Sequence, residues 1–417
     1  MKQSFSTTSK PIGGRIKQRI SDFKVREITL DGTICETTFD ENANSARTMQ
    51  TIPAQPDREY SQLHLILEKF NTDEFNAVRI LTRFIGTSKK RIGFAGVKDK
   101  RGITSQKISF FNPNIERLQK MNLKYIKLSN PEWKKERIEI GDLKGNEFEV
   151  TIRNIEGKEK EIKKTIEDCF KQLQKGIANY FGEQRFGGIR EVTHLVGKKF
   201  IKKQFKEAVM MYLTYTNEKE EESIRNARIE LEKTNDFQKA VNDFSPRYRY
   251  ERMILQHLCK YPNDFIGAFR TLPKSLQYMF VHSYQSFLFN KIIEERIKQG
   301  IGIEKTKGDE LIDGIPTVAL FGFESTFAEG KPGKIEKKIL KEDGVELSEF
   351  LVKEFPELSS KGARKKIAII PENLKLLEIS ADEFNENKLK AVISFRLDKG
   401  NYATTVLREI TKTQDSW

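Results

Sequence analysis

Apolar residues recur along this chain with two periods. Glu147-Phe-Glu-Val-Thr-Ile-Arg153 alternates strictly, which sets Phe148, Val150 and Ile152 on one face and predicts a half-buried strand. A short apolar-rich run over 63–70 reads as another strand. Thr72, followed by Asp73 and Glu74, has the chemistry of a helix N-cap. Phe75, Val78, Leu81 and Ile85 then form a stripe that stops at Gly86. Ile162, Ile166, Phe170 and Leu173 keep the same helical spacing, with Gly176 just past the end. Further along, long helical patterns cover 202–216, the acid-rich 217–235, 243–259 and 273–299, and Pro273 suits a first turn. A glycine-rich strand region over 308–322 follows, then a helical pattern over 334–355, strands over 366–370 and 390–397, and a short helix over 402–413.

This order predicts a strand-bearing first portion, a helix-rich middle from about 195 to 370, and a closing strand and helix that return to the first portion. The middle would then be an insertion, which a fold tolerates where the two ends of the host loop lie close. A chain of 417 residues also favours two cores over one. Residues 1–15, polar and punctuated by glycine, read as a mobile arm or an RNA-contacting tail.

Charge narrows the function. Net charge is +14 with a pI near 9.3, which favours a polyanionic partner such as RNA or DNA. Cys35, Cys169 and Cys259 lie far apart and form neither a metal-ligand pattern nor a disulfide framework, which suits a reduced cytoplasm. His64, His194, His257 and His282 are scattered and read as structural. No run approaches the roughly 18 to 20 apolar residues of a membrane span, and the first residues lack the apolar core of a secretory signal. Gly300-Ile-Gly302 lacks the third glycine and the preceding strand of a dinucleotide fingerprint, and there is no P-loop.

Three clusters carry candidate chemistry. Between Gly86 and Lys107 the only acid is Asp99, set among Lys89, Lys90, Arg91, Lys98, Lys100, Arg101 and Lys107 and framed by Gly93, Gly96 and Gly102. Adjacent positive charge favours the anionic form of a carboxylate. Asp99 is therefore either a nucleophile or base acting on a nucleic acid held by those cations, or one acid relieving charge crowding in a solvated loop. Asn179-Tyr-Phe-Gly-Glu-Gln-Arg-Phe-Gly-Gly188 combines aromatic faces, an amide, an arginine and glycines that permit close approach. It could hold an unstacked base, or it could be a tight turn with aromatic packing. Ser394 to Glu409 runs from a strand through a glycine turn into a helix with Tyr402 at the turn, which suits either an anion site or simple docking.

Taken together, the clusters resemble an archaeal member of the TruD family of tRNA pseudouridine synthases. The matching pieces are Lys17 ahead of Asp22-Phe-Lys-Val-Arg-Glu27, Phe94 to Gln106, Leu143-Lys-Gly-Asn-Glu-Phe148, Asn179 to Gly187, Tyr284 to Asn290, Gly308-Asp309, and Lys399 to Glu409. They occur in the family's order and span nearly the whole chain. The resemblance implies an α+β fold: a pseudouridine synthase catalytic domain with a mixed, largely antiparallel sheet over 1–194 and 371–417, and a helix-rich inserted TRUD domain over 195–370.

By the same resemblance, Asp99 is the catalytic aspartate with Lys17 as its partner. Phe181 stacks on the target base, and Phe23, Asn179 and Tyr402 line the uridine pocket. Lys98, Lys100, Arg101 and Arg185 are expected at phosphates. The implied substrate is tRNA, with uridine 13 the family's usual target. No metal, cofactor, membrane or obligate protein partner is expected, and the expected location is the cytoplasm. The competing class is a non-catalytic tRNA-binding protein or RNA chaperone of the same fold.

Overall fold

A computed structural model describes residues 4–39 and 51–413. The chain forms two compact units: residues 5–177 with 369–417, and residues 178–368 with 1–4. The first three residues of the expected N-terminal arm lie outside the described part. Residues 6 and 7 are not a loose tail. Their amides donate to the Glu409 carboxylate of the C-terminal helix Ala403–Thr411, at 2.9 and 3.0 Å.

The first unit is built on a nine-stranded sheet. Its main path runs Glu372–Ala381, Leu389–Asp398, Leu143–Ile155, Phe23–Thr29, Ile103–Phe111, Gln62–Phe70, Ile126–Lys134. Two short strands flank it: Gly13–Arg15 beside Leu143–Ile155, and Ile92–Phe94 beside Ile103–Phe111. Every pairing is antiparallel except one. Phe23–Thr29 runs parallel to Ile103–Phe111, with Lys24 opposite Ile103. The alternation over 147–153 packs as expected, with Phe148, Val150 and Ile152 buried and the Phe148 ring stacked 5.3 Å from Phe395.

Two cores pack against the sheet of this unit. One gathers Phe23, Phe148, Val150 and Phe395 with Ile162, Ile166, Phe170 and Leu173 of the helix Glu159–Leu173. The other gathers Leu63, Leu65 and Leu67 with Val78, Leu81 and Ile85 of the helix Glu74–Ile85. Two details of that helix correct the sequence reading. Its N-cap is Asp73, whose side chain accepts from the Asn76 amide, so Thr72 precedes the cap. Phe75 is 68% exposed, while Glu74 occupies the buried stripe and pairs with Lys69 at 2.8 Å.

The second unit is mostly helical around the 25-residue helix Lys274–Lys298. Phe280, Val281, Tyr284, Leu288, Phe289, Ile292 and Ile293 are all buried, as befits a helix surrounded by others. Thr193–Ile201, Phe205–Thr214, Glu222–Thr234, Phe237–Asp243, Arg249–Lys260, Phe265–Arg270 and Gly330–Asp343 complete the helical part. A small sheet adds Leu311–Ile312, Ile315–Leu320 and Ala363–Lys366. The helical pattern over 334–355 resolves differently. The helix spans Gly330–Asp343 and ends at Gly344 in the left-handed region, leaving only short 3-10 turns after it.

Candidate active site

The parallel pair of strands decides what meets Asp99. Parallel neighbours begin at the same edge of a sheet, so the segments leading into them lie side by side. Here those segments are 16–22, ahead of Phe23–Thr29, and 95–102, ahead of Ile103–Phe111. Gly102 sits where they are tightest, because a Cβ there would stand 2.5 Å from the Phe23 carbonyl oxygen. The result is an ion pair between Lys17 Nζ and Asp99 Oδ1 at 3.2 Å. The same ammonium lies 4.0 Å from the centre of the Phe23 ring.

Lys17 holds a left-handed backbone, φ 56°, a costly conformation for a lysine. Arg101 secures it by donating Nε to the Lys17 carbonyl at 2.9 Å and Nη2 to that of Gln18 at 3.2 Å. The segment is anchored further by Asp22, which pairs with Arg153 at 2.8 Å in the interior. Burial opposes the charge on Arg153, but Glu383, Asp22 and Asp382 around it raise its pKa above the usual arginine value. Asp99 itself has its side chain 48% exposed, against 18% for Lys17. A carboxylate is thus presented to solvent beside a sheltered cation and an aromatic face.

The cations around Asp99 divide. Lys100 and Arg101 are exposed, and Arg101 keeps further N–H donors beyond the two it uses. Lys98, expected at a phosphate, points inward instead. Its side chain is 4% exposed and its Nζ lies 2.7 Å from Glu27 Oε2, so it ties the loop to the strand beneath. Burial raises the pKa of Glu27, and Lys98 and the Lys107 amide pull it back. Nearby Cys35 is no rival nucleophile, since burial pushes its thiol up to about 12. Tyr402 is the residue before the helix Ala403–Thr411 and is 51% exposed. Among the described residues no hydrogen bond, ion pair or ring contact joins it to Asp99, Lys17 or Phe23.

The second unit carries the other expected group. Asn179 is buried, its amide donating to the Ile367 carbonyl at 2.8 Å and its side-chain Nδ2 to that of Lys366 at 3.0 Å. Phe181 is clamped by one side chain. Asn290 Oδ1 accepts from its N–H at 3.0 Å, and Asn290 Nδ2 donates to its carbonyl at 2.9 Å. The Phe181 ring packs edge-on against Phe289, 5.3 Å between centres. Arg185 sits in a short 3-10 turn, Glu183–Phe186, ended by Gly187 at φ 101°. Its guanidinium lies 5.5 Å from the Phe181 ring centre while Nε donates to Ser286 Oγ at 3.0 Å.

Sequence reasoning missed three residues that shape these groups. Asn290 lies in the helical pattern over 273–299 and within the family-matching piece Tyr284 to Asn290; an amide on the buried side of a helix is the signal that marks it. Arg153 ends the alternating strand, and nothing in that alternation marks it as the partner of Asp22 and Asp382. Lys365 lies one residue ahead of the strand pattern over 366–370 and places its ammonium 5.2 Å from the Phe181 ring centre. Among the described residues no group of three or more His, Cys, Asp or Glu side chains could hold a metal ion, and no helix is long and apolar enough to cross a membrane.

With the fold and these groups in view, known proteins give a consistent match. The family model described as tRNA pseudouridine synthase D (TruD) matches residues 2–314 and 310–410. A "Probable tRNA pseudouridine synthase D" of Methanosarcina acetivorans is 37% identical over 98% of this chain and 95% of its own length. Another of that name, from Methanopyrus kandleri, is 37% identical over 82% and 84%. A solved structure from Methanosarcina mazei under the TruD name superposes with a TM-score of 0.80, at 36% identity over 98% of this chain and 96% of its own. The α+β fold with its largely antiparallel sheet is that of a pseudouridine synthase, an isomerase. The chain belongs to the TruD family of tRNA pseudouridine synthases.

Proposed function

We propose that this protein converts uridine 13 of tRNA to pseudouridine with Asp99 as the nucleophile or base. The observation that carries this reading is the Lys17–Asp99 ion pair beside the Phe23 ring, which puts an exposed carboxylate in a cationic, aromatic setting. In the reaction the C1'–N1 glycosidic bond breaks, the uracil turns while held, and C5 bonds to C1'. N1 gains a proton and C5 loses one, so atoms and electrons balance without an oxidant, a reductant or net hydrolysis.

Lys17 keeps the carboxylate in place and offsets part of the cost of enclosing it when RNA binds. The uridine must leave its stack at a cost of a few kcal/mol, and Phe181 restores part of that through about 1 to 3 kcal/mol of stacking. Phe23, Asn179 and Tyr402 line the uridine pocket, and an apolar lining keeps water from capturing the detached sugar. Lys100, Arg101 and Arg185 contact phosphates, whereas Lys98 stays with Glu27 and holds the loop. In domain terms, 1–194 with 371–417 is the catalytic domain and 195–370 the inserted one. The protein works in the cytoplasm.

The test is release of tritium from tRNA made with 5-tritiated uridine. Asp99→Asn is expected to release none while still binding tRNA, and release at the wild-type rate would overturn the role of Asp99. Mapping pseudouridine in the treated tRNA tests the target, since product only at positions other than 13 removes that assignment. Binding without any product would leave the non-catalytic RNA-binding reading.

A further inference from the structure

Lys365 stands apart from its neighbours. In the strand Ala363–Lys366, Arg364 pairs with Glu336 at 2.9 Å and with Glu310 at 3.2 Å, and Lys366 pairs with Asp313 at 2.7 Å. Alternation along the strand turns Lys365 away from both. It has no ion pair with a carboxylate among the described residues, although it is half-buried. Its ammonium lies 5.2 Å from the Phe181 ring centre, and the Arg185 guanidinium lies 5.5 Å from the same centre.

We propose that Lys365 and Arg185 together form a binding site for one RNA phosphodiester beside Phe181, the phosphate adjoining the nucleotide that Phe181 stacks on. The proposal rests on the stacking role given to Phe181 above. Two cations around one ring, one of them lacking a counter-ion, repel each other in the free protein, and an anion shared between them relieves this. Burial, and then the nearby Arg185 charge, both lower the pKa of the Lys365 ammonium, as expected of a site kept for an anion that arrives with the ligand. The backbone around the ammonium is fixed as well, since the Lys366 and Ile367 carbonyls hold Asn179 and Ser283 Oγ donates to the Arg185 carbonyl at 2.8 Å. The cation, the ring and the amide therefore share one rigid support, so a nucleotide would meet a base contact and a phosphate contact set in advance.

The test is the salt dependence of tRNA binding by the full-length chain, with Asp99→Asn in every sample to prevent turnover. Each phosphate contact contributes about 0.7 to 0.9 to the slope of log affinity against log salt. Lys365→Met is expected to make that slope shallower by about this amount and to weaken binding roughly threefold to tenfold. Lys365→Arg keeps the charge and is expected to retain the parent slope. An unchanged slope in Lys365→Met overturns the proposal. So does a loss in Lys365→Arg as large as in Lys365→Met, because that result would mark a packing role. Turnover by Phe181→Ala with Asp99 intact judges the stacking reading separately: normal turnover there refutes stacking and leaves the slope of Lys365→Met to decide the phosphate site.

Discussion

Asp99 and Phe181 are held in opposite ways. Asp99 stands on a loop with half its side chain in solvent and a single ion pair to steady it. Phe181 is 8% exposed, and both polar groups of its backbone are taken by the Asn290 amide. An exposed ion pair contributes about 0 to 1 kcal/mol, so the Lys17–Asp99 pair adds little to stability. Two buried hydrogen bonds to one side chain contribute more, and leaving their partners unmade costs about 1 to 3 kcal/mol for each group. The Asp99 carboxylate can thus be left accessible because the sheet edge places it. The Phe181 ring is held in a fixed orientation by the interior.

The sharpest way to break this contrast is Asp99→Asn. Turnover should fall by at least about 10³-fold, while the urea midpoint stays near that of the parent. A large loss of stability would show that Asp99 is structural after all. Arg153→Met comes next. It strands Asp22 and Asp382 in the interior and should cost about 3 to 5 kcal/mol in urea unfolding, with turnover falling too because the Lys17 segment loses its anchor. Asn290→Ala should cost about 2 to 3 kcal/mol and lower kcat more than it raises KM. If kcat is unchanged, the clamp on Phe181 has no part in turnover.

The smallest effect concerns acid. Burial lowers the pKa of His194 to about 4, in a ring stack with Phe287 at 4.5 Å. The unfolded chain then binds more protons than the folded one between pH about 6.5 and 4, so this stability is present above that range and lost as pH falls through it. His282 and His64 shift in the same direction, again mainly through burial. His194 alone should lower the unfolding free energy by about 1 to 2 kcal/mol between pH 7.5 and 5, with His282 and His64 adding in the same direction. His194→Phe should flatten the profile, and a profile as steep as the parent's would show that His194 is protonated when folded.

Legibility in the sequence followed exposure to solvent. The strand with one wet face, 147–153, and the helix with a narrow apolar stripe, 159–173, were plain from spacing. Ile103–Phe111 was not, because Thr104, Ser105, Gln106 and Ser109 are buried with the apolar residues and no alternation survives. Glu372–Ala381 failed for the opposite reason, since none of its residues is fully buried. At the site, Asp99 was visible as the one acid in a basic loop. Lys17, 82 residues earlier, came only from family likeness, because no local pattern reveals a parallel pairing of distant strands. Lys98 looked like its neighbours in composition, and only the depth of Glu27 sets it apart.

The tight approach of Gly102 to the Phe23 carbonyl makes chain length a component of this site. Lys24 faces Ile103 in a fixed register, so the connectors carrying Lys17 and Asp99 act as two rulers read from a common origin. Adding or removing one residue in either would carry the ammonium and the carboxylate out of step while sparing every side chain that defines them.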